Sequence, residues 1–347
     1  AARCRQGYTG AGAADARDCP RCREASLTRP KAAFYWCASC GGCEEALIDL
    51  AEDILTVAER FEFVFWPAAM DYKLRDVEAL QDGEIAVSFM NGGIRTSEQE
   101  KIAKLLRRKS SLIVAFGSCA HLGGVPGLAN LVRHADIIRC VYHTLPSVTN
   151  FDGREPLERT SFGEGTLTLP GFSPTLRPLD QVVDVDYYLP GCAPPPDLIM
   201  KAMQGILTGE LPEKGVVLAP DKALCDSCSR RESRPLKSTI REFRRVHEVL
   251  LDPVRCFLDQ GVICLGPATR DGCGERCIRA NMPCRGCFGP TSRVQDQGAR
   301  FLSSIASLID AKEEDEVRRI TDSIVDPAGV FYYYSLPASI LKHRRDR

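Results

Sequence analysis

Ala32-Ala-Phe-Tyr-Trp36 is a short apolar run that breaks directly into Cys37-Ala-Ser-Cys40-Gly-Gly-Cys43-Glu44. The same ending recurs twice. Ser111–Phe116 runs into Gly117-Ser118-Cys119, and Val182–Leu189 runs into Pro190-Gly191-Cys192. Each run reads as a strand. In open parallel sheets the ligand site lies outside the carboxyl ends of the strands. Cysteines just past those ends can therefore converge although they are far apart in sequence. Glycine lets the backbone approach an inorganic group closely and leaves N–H groups free to face it.

The surrounding pattern supports such a sheet. Phe61–Trp66 and Glu84–Phe89 are also strand-like. Glu44–Arg60 carries Leu47, Leu50, Ile54 and Val57 at helical spacing. Ser97–Arg108 predicts a helix with an acidic start and a basic end, as the macrodipole prefers. Pro194–Leu207 predicts another, with its prolines at the beginning. Strands alternating with helices give an α/β class with a mostly parallel sheet covered on both faces.

Beyond that pattern, Asn150–Asp180 is a long insertion rich in Pro, Gly, Thr and Phe, a length that marks function or an interaction surface. After Gly209 the strands are expected to cease. Residues 215–292 hold eight crowded cysteines among Gly, Pro and Arg, and within them only Leu236–Leu251 predicts a helix. So little apolar periodicity leaves metal sites to supply the missing stabilisation. Gln297–Ile309 and Glu313–Ile324 predict helices again, followed by the aromatic run Phe331–Tyr334.

Seventeen cysteines in 347 residues could mean disulfides, but disulfide-dense chains are usually small and secreted. This chain is large, and its start shows neither a charged-then-apolar leader nor an Arg-Arg pair. Its apolar runs are too short to span a bilayer. A reducing compartment with thiols available for metal is the better reading. With 45 basic and 46 acidic residues, nothing in the charge points to nucleic acid or an anionic membrane.

Twelve cysteines fall into groups of four, the ligand count of a [4Fe–4S] cluster or a structural zinc. Cys40, Cys43, Cys119 and Cys192 belong to the strand ends, where Cys37 competes as a ligand. Cys225, Cys228, Cys256, Cys264, Cys273, Cys277, Cys284 and Cys287 crowd the later region. Only the outer pairs there have the C-x2-C form of a zinc knuckle. The irregular inner spacings suit iron–sulfur sites, and spacing alone leaves zinc open.

Three motifs carry a resemblance: Cys40-Gly-Gly-Cys43-Glu44, Gly117-Ser118-Cys119-Ala120 and Pro190-Gly191-Cys192-Ala193-Pro194-Pro195-Pro196. Together they resemble the proximal-cluster motifs of [NiFe]-hydrogenase small subunits. The domain also resembles the 20 kDa cluster-bearing subunit of respiratory complex I. Met282-Pro283-Cys284-Arg285-Gly286-Cys287-Phe288-Gly289-Pro290 looks like the cytoplasmic, viologen-reducing type that does not reduce deazaflavin.

The resemblance covers about residues 31–294 and implies a flavodoxin-like domain with three [4Fe–4S] clusters. Carried over, Cys40, Cys43, Cys119 and Cys192 hold the proximal cluster. Cys273, Cys277, Cys284 and Cys287 hold the medial one, and Cys225, Cys228, Cys256 and Cys264 the distal one. Many relatives have one medial thiol fewer, and periplasmic ones place a His where this chain has Cys225. Both departures favour lower potentials, because added thiolates add negative charge.

The organisation implied is an extension (1–30), a flavodoxin-like domain (31–212), an irregular iron–sulfur domain (213–294) and a helical tail (295–347). Its role is to carry electrons between the Ni–Fe site of a large subunit and a further iron–sulfur or flavin subunit, with heterodisulfide-reductase-like proteins among the candidates. One rival keeps the wire but gives it a large subunit that has lost its metal centre. Another is a zinc-stapled interaction module without redox chemistry.

Several residues tempt without demanding a role. Cys37 and Cys140 read as bystanders, Cys140 as a core thiol. Cys4, Cys19 and Cys22 have no assigned task. Glu44 and Glu45 read as charges at a helix start, His121 as a structural histidine, and Arg230–Arg245 as a solvated or subunit-facing helix surface.

Overall fold

The computed structural model describes residues 29–234 and 239–342. Cys4, Cys19 and Cys22 lie outside the described residues. Among the described residues ten strands occur in chain order, beginning with β1 (Lys31–Trp36), β2 (Glu62–Phe65), β3 (Ile85–Asn91), β4 (Ile94–Thr96) and β5 (Ser110–Phe116). β6 (Arg159–Phe162), β7 (Gly165–Thr168), β8 (Phe172–Arg177), β9 (Tyr187–Leu189) and β10 (Val216–Val217) follow.

Six of them form one sheet in the order β10-β9-β5-β3-β1-β2, and every neighbouring pair is parallel. Among these six the chain's second strand lies outside its first, and the later ones add on the other side. That is the flavodoxin-like doubly wound order, with its switch point between β1 and β3.

The sheet is buried on both faces, as all-parallel sheets are. Side chains alternate along β1. Ala32 and Phe34 enter one core with Leu47, Phe89, Phe116 and Ile199, while Ala33 and Tyr35 enter the other with Ile102, Leu106 and Ile113. The Gly42–Ile48, Asp53–Arg60 and Pro196–Thr208 helices cover the first face. The Leu74–Ala79 and Ser97–Lys109 helices cover the second. Phe34 stacks on Phe89 with ring centroids 4.8 Å apart, which pins β1 against β3 at the switch point.

A third core lies in the cysteine-rich half. Leu224, Ile240, Phe257 and Leu258 pack there with Phe301, Ile305 and Phe331, so apolar residues on both sides of position 295 share one cluster. The expected want of a core in this region is thereby corrected. Its contacts join distant segments, which periodicity within one segment does not reveal.

Other expectations need correction. The helix expected over 44–60 is two helices, broken at residues 49–52 where Ala51 takes φ 52°. The strand expected over 182–189 shortens to β9, because residues 179–181 form a turn and Asp186 uses its side chain on the Ile113 N–H. Residues 239–251 hold no α-helix. The Ile240 N–H donates to Leu308 O at 2.7 Å, and the Arg244 N–H to Gly261 O at 2.8 Å. Backbone pairing with distant segments overrides the helical pattern there. Strands do continue past Gly209, as the short edge strand β10.

Within the insertion, β6 and β7 form an exposed hairpin, while β8 pairs antiparallel with β4. Among the described residues no helix is long and apolar enough to cross a membrane.

Candidate metal centres

Three loops leave the carboxyl ends of β1, β5 and β9, and each brings cysteine to one place. The Gly42–Ile48 helix carries Cys43 in its first turn, the Ser118–Leu122 helix carries Cys119, and Cys192 follows shortly after β9. Two glycines make the approach possible. Gly117 has φ 85°, and a Cβ there would stand 2.3 Å from Cys43 Sγ. Gly124 has φ 59°, and its Cβ would stand 2.4 Å from Cys119 Sγ. Neither position admits another residue without displacing a sulfur.

The thiols act on one another as near neighbours. Burial pushes Cys43 up, and repulsion from Cys119, Cys192 and Cys40 pushes it further. Burial, then Cys192 and Cys40, push Cys119 up to about 12 against a hydrogen bond from the Val125 backbone. Burial also raises Cys192, and thiols that resist ionisation together are matched by a cationic iron core, which favours the thiolates. Cys40 and Cys192 are exposed, whereas Cys43 and Cys119 are buried, so this quartet opens to the surface on one side.

A second quartet surrounds a cavity of about 370 Å³ lined by Cys225, Cys228, Cys256 and Cys264. Burial raises Cys225 first, then repulsion from Cys264, Cys228 and Cys256. Gly266 lies against it, with a Cβ there 3.0 Å from Cys225 Sγ and 3.7 Å from Cys264 Sγ. Arg230 braces the wall. It is 4% exposed, sits 4.0 Å over the Phe257 ring, and donates to Asp252 O, Arg255 O and the Asn281 side chain. The solvated-helix reading of Arg230–Arg245 is therefore wrong at Arg230, whose guanidinium is an internal cross-brace.

Between these two lies the third group. Burial, then a Cys192 backbone hydrogen bond in the opposite direction, act on Cys287, with repulsion from Cys273, Cys192 and Cys277; the net value is about 12. Cys284 is fully buried beside Cys264 and Cys287, and burial holds it well above the ordinary thiol value. The Cys284 N–H donates to Cys264 Sγ at 3.3 Å, and Ser118 Oγ donates to Cys287 O at 2.6 Å. The middle group thus touches the first through Cys287 and the other through Cys284.

Donor chemistry and space agree with iron–sulfur groups. Each set offers four cysteine sulfurs, and the cavity of the second quartet is far larger than one ion. Among the described residues no three His, Cys, Asp or Glu side chains close as a single bound ion requires.

The bystanders separate. Cys37 is buried under β1 in the second core, and burial followed by the Glu44 charge pushes its thiol up. Cys140 is exposed, which corrects the core-thiol expectation; the His134–Arg139 helix before it buries no residue. Glu44 stands in the first turn of the Gly42–Ile48 helix, as expected, but its side chain is buried. It is 7% exposed and accepts from Trp66 Nε1 at 3.0 Å and Asn91 Nδ2 at 2.8 Å. His121 packs 4.6 Å from the Tyr188 ring, and burial with the Arg270 charge lowers it to about 3, so it is neutral.

Sequence reasoning missed the place of Tyr334, whose carbonyl accepts from the Gly124 N–H at 3.0 Å beside the Cys119 sulfur. Its only signal was the aromatic run near the carboxyl terminus.

A flavodoxin-like sheet whose strand ends gather cysteines defines an oxidoreductase of the cluster-bearing kind. Residues 40–206 match the family described as NADH ubiquinone oxidoreductase, 20 Kd subunit. The iron-sulfur subunit of F420-non-reducing hydrogenase from Archaeoglobus profundus is 37% identical over 321 residues, covering 90% of this chain and 98% of the relative. The corresponding F420-non-reducing hydrogenase subunit of Methanothermobacter thermautotrophicus is 35% identical over 314 residues, 90% of this chain and 96% of the relative. Its counterpart in the vhu hydrogenase of Methanocaldococcus jannaschii is 34% identical, over 88% of this chain and 94% of the relative. The chain belongs to this family of F420-non-reducing hydrogenase subunits, and it is a subunit of an oxidoreductase complex.

Proposed function

We propose that this subunit carries electrons from the Ni–Fe site of a large partner subunit, through three [4Fe–4S] clusters, to a further iron–sulfur or flavin subunit. Cys40, Cys43, Cys119 and Cys192 would hold the proximal cluster, Cys273, Cys277, Cys284 and Cys287 the medial, and Cys225, Cys228, Cys256 and Cys264 the distal. When bound, the clusters supply one-electron redox chemistry. The observation that carries this reading is the chaining of the three quartets, first to middle through Cys192 and Cys287 and middle to last through Cys284 and Cys264.

The chain's own residues position and insulate. Gly117 and Gly124 give the sulfurs room, and the aromatic core under β1 excludes water beneath the proximal quartet. Arg230 and Phe257 keep the distal loop in place. The exposed sides of Cys40 and Cys192, with Trp36 44% exposed nearby in sequence, form the face offered to the large subunit. The heterodisulfide-reductase-like acceptor belongs at the distal end, and the complex in the cytoplasm.

Hydrogen gas added to the anaerobic complex should bleach the cluster absorbance, and Cys256→Ser should block reduction of the acceptor while bleaching persists. Unimpaired acceptor reduction in that variant would contradict the wire. No bleaching in the unaltered complex would favour a large subunit without a working Ni–Fe site.

A further inference from the structure

The loop Cys284-Arg285-Gly286-Cys287 is held from both sides by groups other than its own sulfurs. On one side the N–H of Leu265, one residue past Cys264, donates to Cys284 O at 2.9 Å. In the middle Gln297 Nε2 donates to Gly286 O at 3.0 Å. On the other side Ser118 Oγ donates to Cys287 O at 2.6 Å. All three donors are buried, and each comes from a segment outside the loop.

Ser118 stands where three cysteine loops meet. Its peptide bond joins it to Cys119, its N–H donates to Gly191 O at 2.8 Å just before Cys192, and its hydroxyl reaches Cys287. Gly117 before it is pinned by its own N–H on Leu189 O at 2.8 Å, so Ser118 has little freedom to drift. A helical serine hydroxyl commonly turns back onto its own helix, as Ser304 does on Arg300 O at 3.0 Å. Ser118 instead bonds a carbonyl 169 residues along the chain. Gly289 seats the same loop on the same short helix, with a Cβ there 3.0 Å from Leu122 Cδ1.

We propose that Ser118 is a positioning residue that fixes the separation between the first quartet and the middle one. One electron passing between them oxidises the first group and reduces the second, with no bond or proton exchanged. The step is therefore governed by the gap and by the path across it. Through Ser118 that path runs from Cys119 to Cys287 along covalent bonds and one hydrogen bond of 2.6 Å. Without the hydroxyl the part-buried Cys287 carbonyl loses its donor, and the loop moves to find another. This rests on the proximal and medial assignments proposed above.

The test is EPR of the intact, reduced complex carrying Ser118→Ala, with Ser88→Ala as control. Ser88 is equally buried and shares a 2.7 Å hydrogen bond with Ser110 Oγ, but it lies in the middle of β3. In S118A the magnetic splitting between the proximal and medial signals should weaken. The medial-to-distal splitting should stay unmoved, and S88A should match the unaltered complex. An unchanged proximal-to-medial splitting in S118A, or an equal change in S88A, overturns the proposal. Should S118A fail to assemble, a high-resolution cryo-EM map of the unaltered complex decides. Ser118 Oγ within hydrogen-bond distance of Cys287 O supports the proposal, and a hydroxyl turned onto its own helix overturns it. Failure of the underlying reading looks different: no coupled pair of signals exists in the unaltered complex.

Discussion

Gly117→Ala is the sharpest probe of the proximal quartet. Gly117 sits between β5 and Cys119 at φ 85° and ψ 168°, a region essentially reserved for glycine, so alanine there costs about 1–3 kcal/mol in backbone strain. Its Cβ would stand 2.3 Å from Cys43 Sγ and 3.4 Å from Gly191 O, so the sulfur must retreat by about 1 Å. Overpacking of this kind costs about 1–3 kcal/mol more. The sum, about 2–6 kcal/mol, is a large part of an ordinary domain's stability. The displacement also exceeds the ~0.5 Å within which a preorganised site keeps its geometry. Anaerobically purified G117A complex should therefore lose the proximal EPR signal and melt at lower temperature. Gly209→Ala is the control: its φ is 72° but nothing lies within 4 Å of the new Cβ. It should show a small stability loss and full iron. A G117A complex with full iron and an unaltered proximal signal would refute the argument that glycine there exists to make room for sulfur.

Two further outcomes follow from the same geometry. Cys256→Ser should remove only the distal signal, lowering iron by about a third at four irons per cluster, whereas Cys37→Ala should leave iron unchanged; iron assay and EPR decide both. Asp186 is buried, which would raise its carboxyl, yet Lys214, Arg107 and the Ile113 N–H hold it below the ordinary carboxylate range. Its contribution is therefore complete above the unfolded value of about 3.9 and is lost as pH falls through the lower folded value. Asp186→Asn should cost about 2–3 kcal/mol at neutral pH, and the gap from the unaltered protein should close in acid when urea melts are compared across pH.

The gathering of cysteines at the strand ends was legible because its signal is local. Each strand end carries its own Gly and Cys, and the parallel order brings the ends together without further information. The parallel sheet follows from strands alternating with helices, and its flavodoxin-like order was implied by the motif resemblance. What stayed hidden depends on long-range pairing. Ile240 is extended because it meets Leu308 and Asp310, far along the chain. Residues 334–342 lie on the sheet domain because Gly124, Gln181 and Asn130 donate to the carbonyls of Tyr334, Pro337 and Lys342. Arg230 is buried because Phe257, two loop carbonyls and the Asn281 amide receive it. None of these partners lies within the window over which hydrophobic periodicity is read.

The exposed β6–β7 hairpin illustrates the opposite case. Both of its strands are exposed along their whole length. A two-stranded hairpin alone has little stability in water. Nothing in the spacing of Asn150–Asp180 distinguished this hairpin from β8, which is held by Ile94 and Thr96 of β4.

That twelve thiols hold three four-iron clusters in series is tested most directly by iron and acid-labile sulfide measured on the anaerobically isolated complex, with EPR of its reduced form. The expected result is about twelve irons and about twelve sulfides in each copy of this subunit, with three interacting reduced signals. Colourless protein carrying stoichiometric zinc and no sulfide would contradict it.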